Sequence, residues 1–464
     1  MQRPFELGAV RHIEPRSPAE FARVAPSHLV THAVVTGMTG SGKTGLLTVL
    51  VEEALLSRIP VLVVDVKGDL ANIGLACESL APESLHSWID QNQPDFDAER
   101  SPHELARTAA EERQKGLARW GLDEASVQRF ARSFALRVLT PGSAIAEPID
   151  LLSALRADPD RWTRSLDSAR SGLSSAISLL LRLLDRDSDP IRSREHVLLS
   201  VLAEHQLRAG MPADLRTLIQ ELSEPSITTV GAMDVDDFLS KNKRRELASS
   251  LNAMLASPTF AAWREGSPIA PSQWLSRTPE GLPTLTIVSV AHLDEDSRAM
   301  VLGLLFDEVL SWVRTQSGTS SLRALLVMDE VYGWLPPHPK DPPTKKPLVS
   351  LMKQARAFGV GVVLATQNPM DLDYRALSNA GLWCIGRLQT DADRERVIEG
   401  LSSSDAGASD TRSLGDLVKA LSPRWFVLRD VHSGPGCSLL QPRHALSWLK
   451  GPLTAEQLRT RAGR

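Results

Sequence analysis

The chain has 464 residues, of which 42% are hydrophobic and 23% charged, and its formal net charge is -4. This composition is typical of a globular protein with a large core, and the length favours two structural units. It excludes a protein whose whole surface binds nucleic acid, because such a surface would be basic. Any contact with nucleic acid is therefore expected at a local loop or pore.

The three cysteines, Cys77, Cys384 and Cys437, are far apart and form no C-x-x-C pair. We therefore expect buried, reduced thiols and neither a zinc site nor a disulfide framework. The first residues lack the apolar core of a signal peptide, and no apolar run approaches the ~20 residues that a membrane span needs. A cytoplasmic protein without direct membrane insertion is expected.

The first predicted elements form a strand–loop–helix–strand unit. Residues 32–36 predict a short buried strand, and the glycine-rich loop 37–42 follows it. A helix is predicted over 43–57, and the apolar run at 61–66 predicts a second buried strand. This order is that of a βαβ unit, which implies a parallel sheet.

Residues 95–275 differ, because their apolar residues recur at helical spacing, as in 172–185 and 196–207. We interpret this region as a helical insertion. Its basic run at 241–245 predicts a solvated helix face, with a contact to a polyanion as the alternative.

After Pro283 the alternation of strands and helices returns. Strands are predicted at 284–290, 323–328, 360–366, 382–386 and 424–429, and helices at 295–315, 346–357 and 391–401. The loop 335–347 is rich in proline and predicts no regular structure.

A phosphate-binding motif stands between the first strand and the first helix. Residues 37–44 read Gly-Met-Thr-Gly-Ser-Gly-Lys-Thr and match G-x-x-x-x-G-K-[ST]. Glycines let the backbone wrap closely around phosphates, and the amides at the helix start face the anion. Lys43 is expected at the β- and γ-phosphates and the Thr44 hydroxyl on Mg²⁺. The predicted nucleotide-binding residues are Gly37, Thr39, Gly40, Ser41, Gly42, Lys43, Thr44 and Gly45.

Polar residues also follow three later strands. The apolar strand 325–328 delivers Asp329 beside the Mg²⁺, and Glu330 can activate or orient the attacking water; the alternative is a strand that ends in two solvated acids. Gln367 follows another apolar strand and can sense the terminal phosphate; otherwise it is a turn residue. Residues 65–69 close the second strand at the same edge, where they line the site or shape the loop.

Four segments together resemble the HerA/FtsK superfamily of ring-forming P-loop ATPases. They are residues 31–45, 61–70, 325–337 and 353–401. The last segment resembles the HerA-like branch, which pairs an Ala-Thr-Gln sensor strand with a Ser-Asn-Ala-Gly turn and a Gly-Arg-Leu-Gln-Thr strand end.

The resemblance implies an α/β fold, a RecA-like P-loop NTPase core whose mainly parallel sheet is split by the helical insertion. Residues 1–94 would form the first part of the core and 95–275 the insertion. Residues 276–464 would form the second part, with Walker B, sensor and a C-terminal helix. The ending at 451–464 predicts a helix that stops with the chain. Only about thirty residues precede the P-loop, so the N-terminal β-barrel of HerA helicases is expected to be missing or reduced.

The resemblance also implies ATP and Mg²⁺ as cofactors and a homo-hexameric ring with ATP bound between subunits. Arg356 would then be supplied in trans, where its guanidinium offsets charge on the transferring phosphoryl group; the alternative is an arginine on a helix surface. Arg387 ends a strand on the catalytic edge and is the second candidate for an interface arginine.

Two functions remain open. A DNA translocase or helicase would hold duplex DNA in its pore, and the loop with Lys340, Lys345 and Lys346 is a candidate phosphate contact; a solvated loop or a subunit contact is the alternative. The second function is an ATPase of a secretion-type or defence complex, which drives or gates a protein partner such as a nuclease or an effector without DNA translocation. A metabolic kinase is disfavoured, because the Asp-Glu pair and the glutamine favour water as the acceptor.

Overall fold

The computed structural model describes residues 2–12, 20–89, 100–156, 162–163, 166–369, 372–388, 390–402, 411–434 and 436–462. Within these ranges one large sheet is covered by helices on both faces.

In chain order the strands are β1 (Phe5–His12), β2 (Glu20–Val24), β3 (Ala33–Thr36), β4 (Val61–Asp65), β5 (Ala135–Leu139), β6 (Ile149–Asp150), β7 (Thr229–Val230), β8 (Met233–Asp234), β9 (Ser267–Pro268), β10 (Thr284–Ser289), β11 (Ala324–Met328), β12 (Val360–Thr366), β13 (Leu382–Ile385), β14 (Phe426–Asp430) and β15 (Ser438–Pro442).

The α-helices span Lys43–Leu56, Glu83–His86, Pro102–Ala118, Glu124–Ala131, Leu166–Leu183, Arg194–Arg208, Leu215–Ser223, Val235–Phe238, Lys241–Ala256, Ala261–Arg264, Pro271–Trp274, Glu295–Arg314, Lys345–Gln354, Tyr374–Leu377, Asp391–Ser402, Thr411–Ala420 and Ala455–Ala462. Short 3₁₀ turns span Pro26–Thr31, Leu70–Asn72, Ser153–Leu155, Pro258–Phe260 and Ala355–Phe358.

The main sheet has eleven strands in the order β2-β1-β15-β14-β13-β3-β12-β11-β4-β10-β5. Pairing from β13 to β5 is parallel, whereas β14, β15, β1 and β2 extend the sheet by antiparallel pairing. Parallel strands end at the same edge of a sheet. The segments that follow β3, β12, β11 and β4 therefore meet at one carboxyl edge. Strand β12 lies between β3 and β11.

The central strands are buried on both faces, which explains why they read as continuous apolar runs. In β4, Leu62 and Val64 face one side of the sheet and Val61 and Val63 face the other. The first side packs against helix Glu295–Arg314 and the second against helix Lys43–Leu56. The predicted α/β fold with a mainly parallel sheet is confirmed.

Five of the described strands, β5 to β9, lie inside the region predicted as a helical insertion, and one of them belongs to the main sheet. Strand β5 pairs with β10 at the edge of the main sheet, although 95–275 had suggested helices. The first three residues of β5 are only half-buried, so no apolar run marks this strand in the sequence. The proposed boundary at residue 94 lies outside the described residues, and the three-part division stays a prediction.

Most of the remaining region is helical, as the spacing of its apolar residues indicates. Helix Leu166–Leu183 packs on helix Glu295–Arg314 and so joins the region to the core. In the basic run, Arg244 is buried and pairs with Asp236, while its basic neighbours are exposed.

The proline-rich loop differs from the prediction at its end. Helix Lys345–Gln354 begins inside it, and Pro347 fits there because the first helical turn needs no amide donor. Lys345 is buried, with its Nζ 3.3 Å from Asp373 Oδ2 and 2.9 Å from the carbonyl of Lys340. Lys345 is therefore no phosphate contact, and that part of the pore-loop prediction is wrong. Among the helices described, none has the length and apolar character to cross a bilayer.

Candidate active site

The glycine-rich loop joins the end of β3 to helix Lys43–Leu56. Gly37 has φ +154°, and a Cβ there would lie 2.6 Å from Ser41 Oγ. Gly42 has φ +98°, and a Cβ there would lie 3.1 Å from Arg424 Cγ. Both positions thus require glycine, and the loop keeps the narrow cradle that the motif predicts.

Lys43 lies inside this cradle. Its Nζ donates to the carbonyl oxygens of Gly37 (2.6 Å) and Met38 (3.3 Å). Burial lowers the pKa of Lys43, and the carboxylates of Glu330 and Asp329 oppose that shift. The ammonium group is therefore held between the loop carbonyls and the acids at the neighbouring strand ends.

The other predicted loop residues surround the same cradle. Thr44 and Gly45 lie half-buried in the first turn of the helix. Gly40 has φ +77°, with open space where a Cβ would stand. Ser41 is buried, and its hydroxyl has no hydrogen-bond partner within the described part of the chain.

Asp329 and Glu330 follow β11 directly. Asp329 is buried, and its Oδ1 accepts a hydrogen bond from the backbone amide of Glu330 at 2.9 Å. Burial raises the pKa of Asp329 to about 6, and the negative charge of Glu330 adds to the rise. Glu330 has φ +53°, a left-handed conformation that is uncommon for a residue other than glycine and is often found at functional sites.

Gln367 connects the phosphate loop to Glu330. Its Oε1 accepts a hydrogen bond from Thr39 Oγ1 at 2.7 Å, and its Nε2 donates to Glu330 Oε1. Lys67 Nζ lies 2.8 Å from the same Glu330 oxygen. The structure thus brings Lys43, Asp329, Glu330 and Gln367 together at the carboxyl edge, and it adds Lys67.

Asp65, at the end of β4, shapes the loop beside the site. Its two oxygens accept hydrogen bonds from the amides of Gly68 (2.8 Å) and Ala71 (2.9 Å). Burial raises the pKa of this carboxyl to about 6 against the effect of those bonds. The segment 65–69 thus agrees with both interpretations left open for it, because Asp65 shapes the loop while Lys67 lines the site.

Arg356 lies at the opposite edge of the sheet. It is exposed in the turn Ala355–Phe358, which precedes β12, whereas Gln367 follows that strand. At ~3.3 Å per residue, a strand of seven residues is about 23 Å long. Arg356 therefore cannot reach the phosphate loop of its own chain.

Arg387 lies beside its own phosphate loop. It follows β13, and its carbonyl oxygen accepts a hydrogen bond from the amide of Met38 at 2.8 Å, while its side chain is exposed. The two candidate arginines thus lie at different edges of the sheet.

The residues at the carboxyl edge fit a Mg²⁺ ion bound together with a nucleotide. No group of three or more His, Cys, Asp or Glu residues that could hold a metal occurs within the described ranges. Mg²⁺ is usually held by one or two protein oxygens, with waters and phosphate oxygens completing an octahedron. The buried carboxyl of Asp329 and the hydroxyl of Thr44 are donors of that type.

A cavity of about 270 Å³ adjoins the start of helix Lys43–Leu56. Its lining includes Gly42, Arg424, His444 and Trp448. Burial lowers the pKa of His444, which favours a neutral imidazole. Arg424, His444 and Trp448 were not predicted from the sequence, because no motif or spacing connects residues 424–448 with the phosphate loop.

A phosphate-loop strand and a Walker B strand, with a sensor strand between them, define a P-loop NTPase of the RecA-like fold. Residues 13–114 match the model of the family described as "Helicase HerA-like C-terminal". This match confirms the resemblance to HerA/FtsK-type P-loop ATPases.

The fold is also found in one of the following solved structures, VirB4, and the other two show weaker similarity. VirB4 of Thermoanaerobacter pseudethanolicus is 12% identical, with a TM-score of 0.52 over 95% of this chain and 96% of that one. The bacterial conjugative coupling protein TrwB is 14% identical, with a TM-score of 0.49 over 93% and 88%. The genome packaging NTPase B204 of Sulfolobus turreted icosahedral virus 2 is 18% identical, with a TM-score of 0.24 over 34% and 67%. Among curated proteins, none matches this sequence.

Proposed function

We propose that this protein hydrolyses ATP and works as a ring motor of the HerA/FtsK type that translocates or unwinds duplex DNA. One observation carries the proposal: Lys43, Asp329, Glu330 and Gln367 meet at one edge of the sheet, and Arg356 is exposed at the opposite edge. A site of this kind is completed when the edges of two copies meet.

The phosphates of ATP would lie in the loop 37–44, where Lys43 exchanges its loop carbonyls for phosphate oxygens. Thr44 and Asp329 would hold Mg²⁺, which offsets charge on the phosphates when bound. The cavity beside Gly42 is open to the start of the same helix, and its Trp448 and His444 rings can cover a nucleobase.

For hydrolysis, Glu330 and Gln367 would orient a water molecule in line with the bond from the γ-phosphorus to ADP. The water oxygen bonds to phosphorus, and the bond to the leaving oxygen of ADP breaks. The proton of the water passes to Glu330 and then to solvent, so that the products are ADP and inorganic phosphate. Lys43 remains beside the phosphates and offsets the developing charge.

Arg356 of a second copy would approach this edge from outside. A head-to-tail contact between two different edges is heterologous, and such contacts close into rings when the rotation allows it. A homo-hexamer is the ring that the HerA/FtsK resemblance implies. Arginines supplied in trans contribute about 10³–10⁵ in rate in related phosphoryl-transfer sites.

The description of the matching family, which names a helicase, supports duplex DNA as the substrate. Lys340 and Lys346 are exposed in the loop that follows the Walker B strand. A protein partner remains the second candidate, because Lys345 is buried and Lys346 pairs with Asp341 at 3.1 Å. This loop therefore offers less positive charge than its sequence suggests.

The test is ATP turnover with and without linear duplex DNA between 50 and 200 mM salt, in the range over which about 6–10 phosphate contacts lose 10³–10⁵ in affinity. The proposal predicts stimulation by DNA that weakens as salt rises and that falls in a Lys340→Ala, Lys346→Ala double variant. A Lys115→Ala, Lys419→Ala variant, at two exposed helix positions, is the matched control. Turnover that ignores DNA at every salt concentration would contradict the DNA motor and favour the protein partner.

A further inference from the structure

The loop after β4 adds a cation to the candidate active site. Lys67 Nζ lies 2.8 Å from Glu330 Oε1, the oxygen that also accepts the hydrogen bond from Gln367 Nε2. We propose that Lys67 is a positioning residue for ATP hydrolysis, which holds the Glu330 carboxylate together with Gln367. The inference rests on the function proposed above and assigns a role to a residue that the phosphate-loop and Walker B motifs do not contain.

The backbone of Lys67 is fixed by a buried carboxylate. Asp65 is 1% exposed, and its oxygens accept hydrogen bonds from the amides of Gly68 and Ala71, which lie on the far side of Lys67 in the chain. Gly68 has φ +90°, so the loop turns sharply where only glycine is unstrained. A surface lysine on a free loop would lack this support.

Glu330 needs support of this kind. The Glu330 side chain is 13% exposed, and the backbone of this residue has φ +53°. Lys67 and Gln367 approach one oxygen from two different strand ends, β4 and β12, on either side of β11. Because both described contacts fall on Oε1, the second carboxylate oxygen is the one left for a water molecule.

The surroundings of Lys67 are those of a reaction site. A cavity of about 400 Å³ opens at this edge, and its lining includes Lys67, Glu330, Gln367 and Tyr332. Lys67 is half-exposed and lines this cavity, and its amino group contacts the partly buried Glu330 carboxylate. A lysine that only closed the loop would have no need to contact the residue that faces the attacking water.

The test compares kcat and KM for ATP in Lys67→Met and Lys67→Arg, with Lys243→Met as the control for loss of an exposed lysine. We expect Lys67→Met to lower kcat about 10- to 100-fold while KM and the affinity for a non-hydrolysable ATP analogue change less than about threefold. Lys67→Arg should restore kcat to within about fivefold, and Lys243→Met should match the wild type.

A double variant checks that Lys67 acts through Glu330. Groups that act as a unit are not additive, so Lys67→Met should change the residual turnover of Glu330→Gln by less than about twofold. An unchanged or raised kcat in Lys67→Met, a loss explained by weaker analogue binding, or full additivity with Glu330→Gln would overturn the inference. If the wild type hydrolyses no ATP, or Lys43→Ala turns over like the wild type, the proposed function and this inference both fail.

Discussion

At the scale of single residues, Gln367 connects the phosphate loop to Glu330. Its amide spans from Thr39 on the phosphate loop to Glu330 beside the Walker B strand. A neutral amide can make both contacts without adding charge next to a carboxylate. A phosphate that moves Thr39 would therefore move the amide that holds Glu330.

Replacement of Gln367 by alanine removes both contacts. We expect kcat for ATP to fall about 10- to 100-fold, with nucleotide affinity changed less than about threefold, because loss of one preorganised donor usually costs about that much or more. Gln354→Ala is the matched control, since Gln354 contacts Arg314 near the opposite edge of the sheet. Equal kcat values for the two variants would show that Gln367 has no part in hydrolysis.

The sequence predicts residues whose position a motif determines. Lys43, Asp329 and Gln367 each follow a strand of one parallel sheet, so their strands bring them to one edge. The pair Lys67–Glu330 could not be predicted, because neither residue type nor spacing indicates which cation meets the acid. The burial of Lys345 could not be predicted either, because its partner Asp373 comes from a different segment of the chain.

At the scale of elements, helices Leu166–Leu183 and Glu295–Arg314 enclose a carboxyl group, that of Asp307, whose charged form is disfavoured by burial. Ser175 Oγ donates to Asp307 Oδ2 at 3.2 Å. Burial raises the pKa of Asp307 from 3.8 to about 6, although this hydrogen bond acts in the opposite direction. The folded state therefore binds the Asp307 proton more tightly than the unfolded state does.

The raised pKa of Asp307 makes the free energy of unfolding depend on pH. Below the unfolded pKa of 3.8 both states are protonated and the buried acid costs nothing. As pH rises towards 6 the unfolded state loses its proton first, so stability falls, and above that pH the full cost of about 2–3 kcal/mol is present. Asp307→Asn should raise the urea midpoint at pH 8 and raise it less at pH 5.

The control on the same pair of helices is Asp296→Asn, which removes an exposed ion pair with Arg182. An exposed pair contributes about 0–1 kcal/mol, so this variant should change the midpoint little at either pH. A gain from Asp307→Asn that is equal at pH 5 and pH 8, or larger at pH 5, would contradict the assignment.

Elements with a continuous apolar run were predicted within a few residues, and those with weak patterns were missed. Strands β4, β11 and β12 are fully buried and stand out in the sequence. Strands β2 and β5 lie at the two ends of the sheet and are partly exposed. Their assignment depends on pairing with distant strands, which periodicity does not show.

At the scale of the whole molecule, a buried ionic cluster on helix Lys43–Leu56 joins two segments that are distant in sequence. They are β1 and the residues that follow β15. Arg443 Nη1 and Nη2 lie 2.8 Å and 2.9 Å from the carboxylates of Glu52 and Glu53. The backbone amide of Arg443 also donates to Leu7 in β1. The last segments of the chain are thereby fixed to the helix that begins at the phosphate loop.

The length of β12 separates the carboxyl edge of the sheet from the opposite edge. The carboxyl edge holds the phosphate loop with Glu330, and the opposite edge exposes Arg356. One copy therefore lacks a complete set of catalytic groups if Arg356 takes part. The proposed function depends on this point more than on any other.

The most direct measurement mixes two inactive variants. Arg356→Ala keeps the phosphate loop and Glu330, whereas Glu330→Gln keeps Arg356. Each variant alone should lose at least about 10²-fold of ATP turnover, since a finger arginine contributes about 10³–10⁵ and a general base about 10²–10⁴. Mixed at equal concentration, they should recover more than about a tenth of wild-type turnover, because some contacts then unite an intact Glu330 with an intact Arg356. Wild-type turnover in Arg356→Ala alone, or a mixture no more active than its parts, would contradict the shared active site.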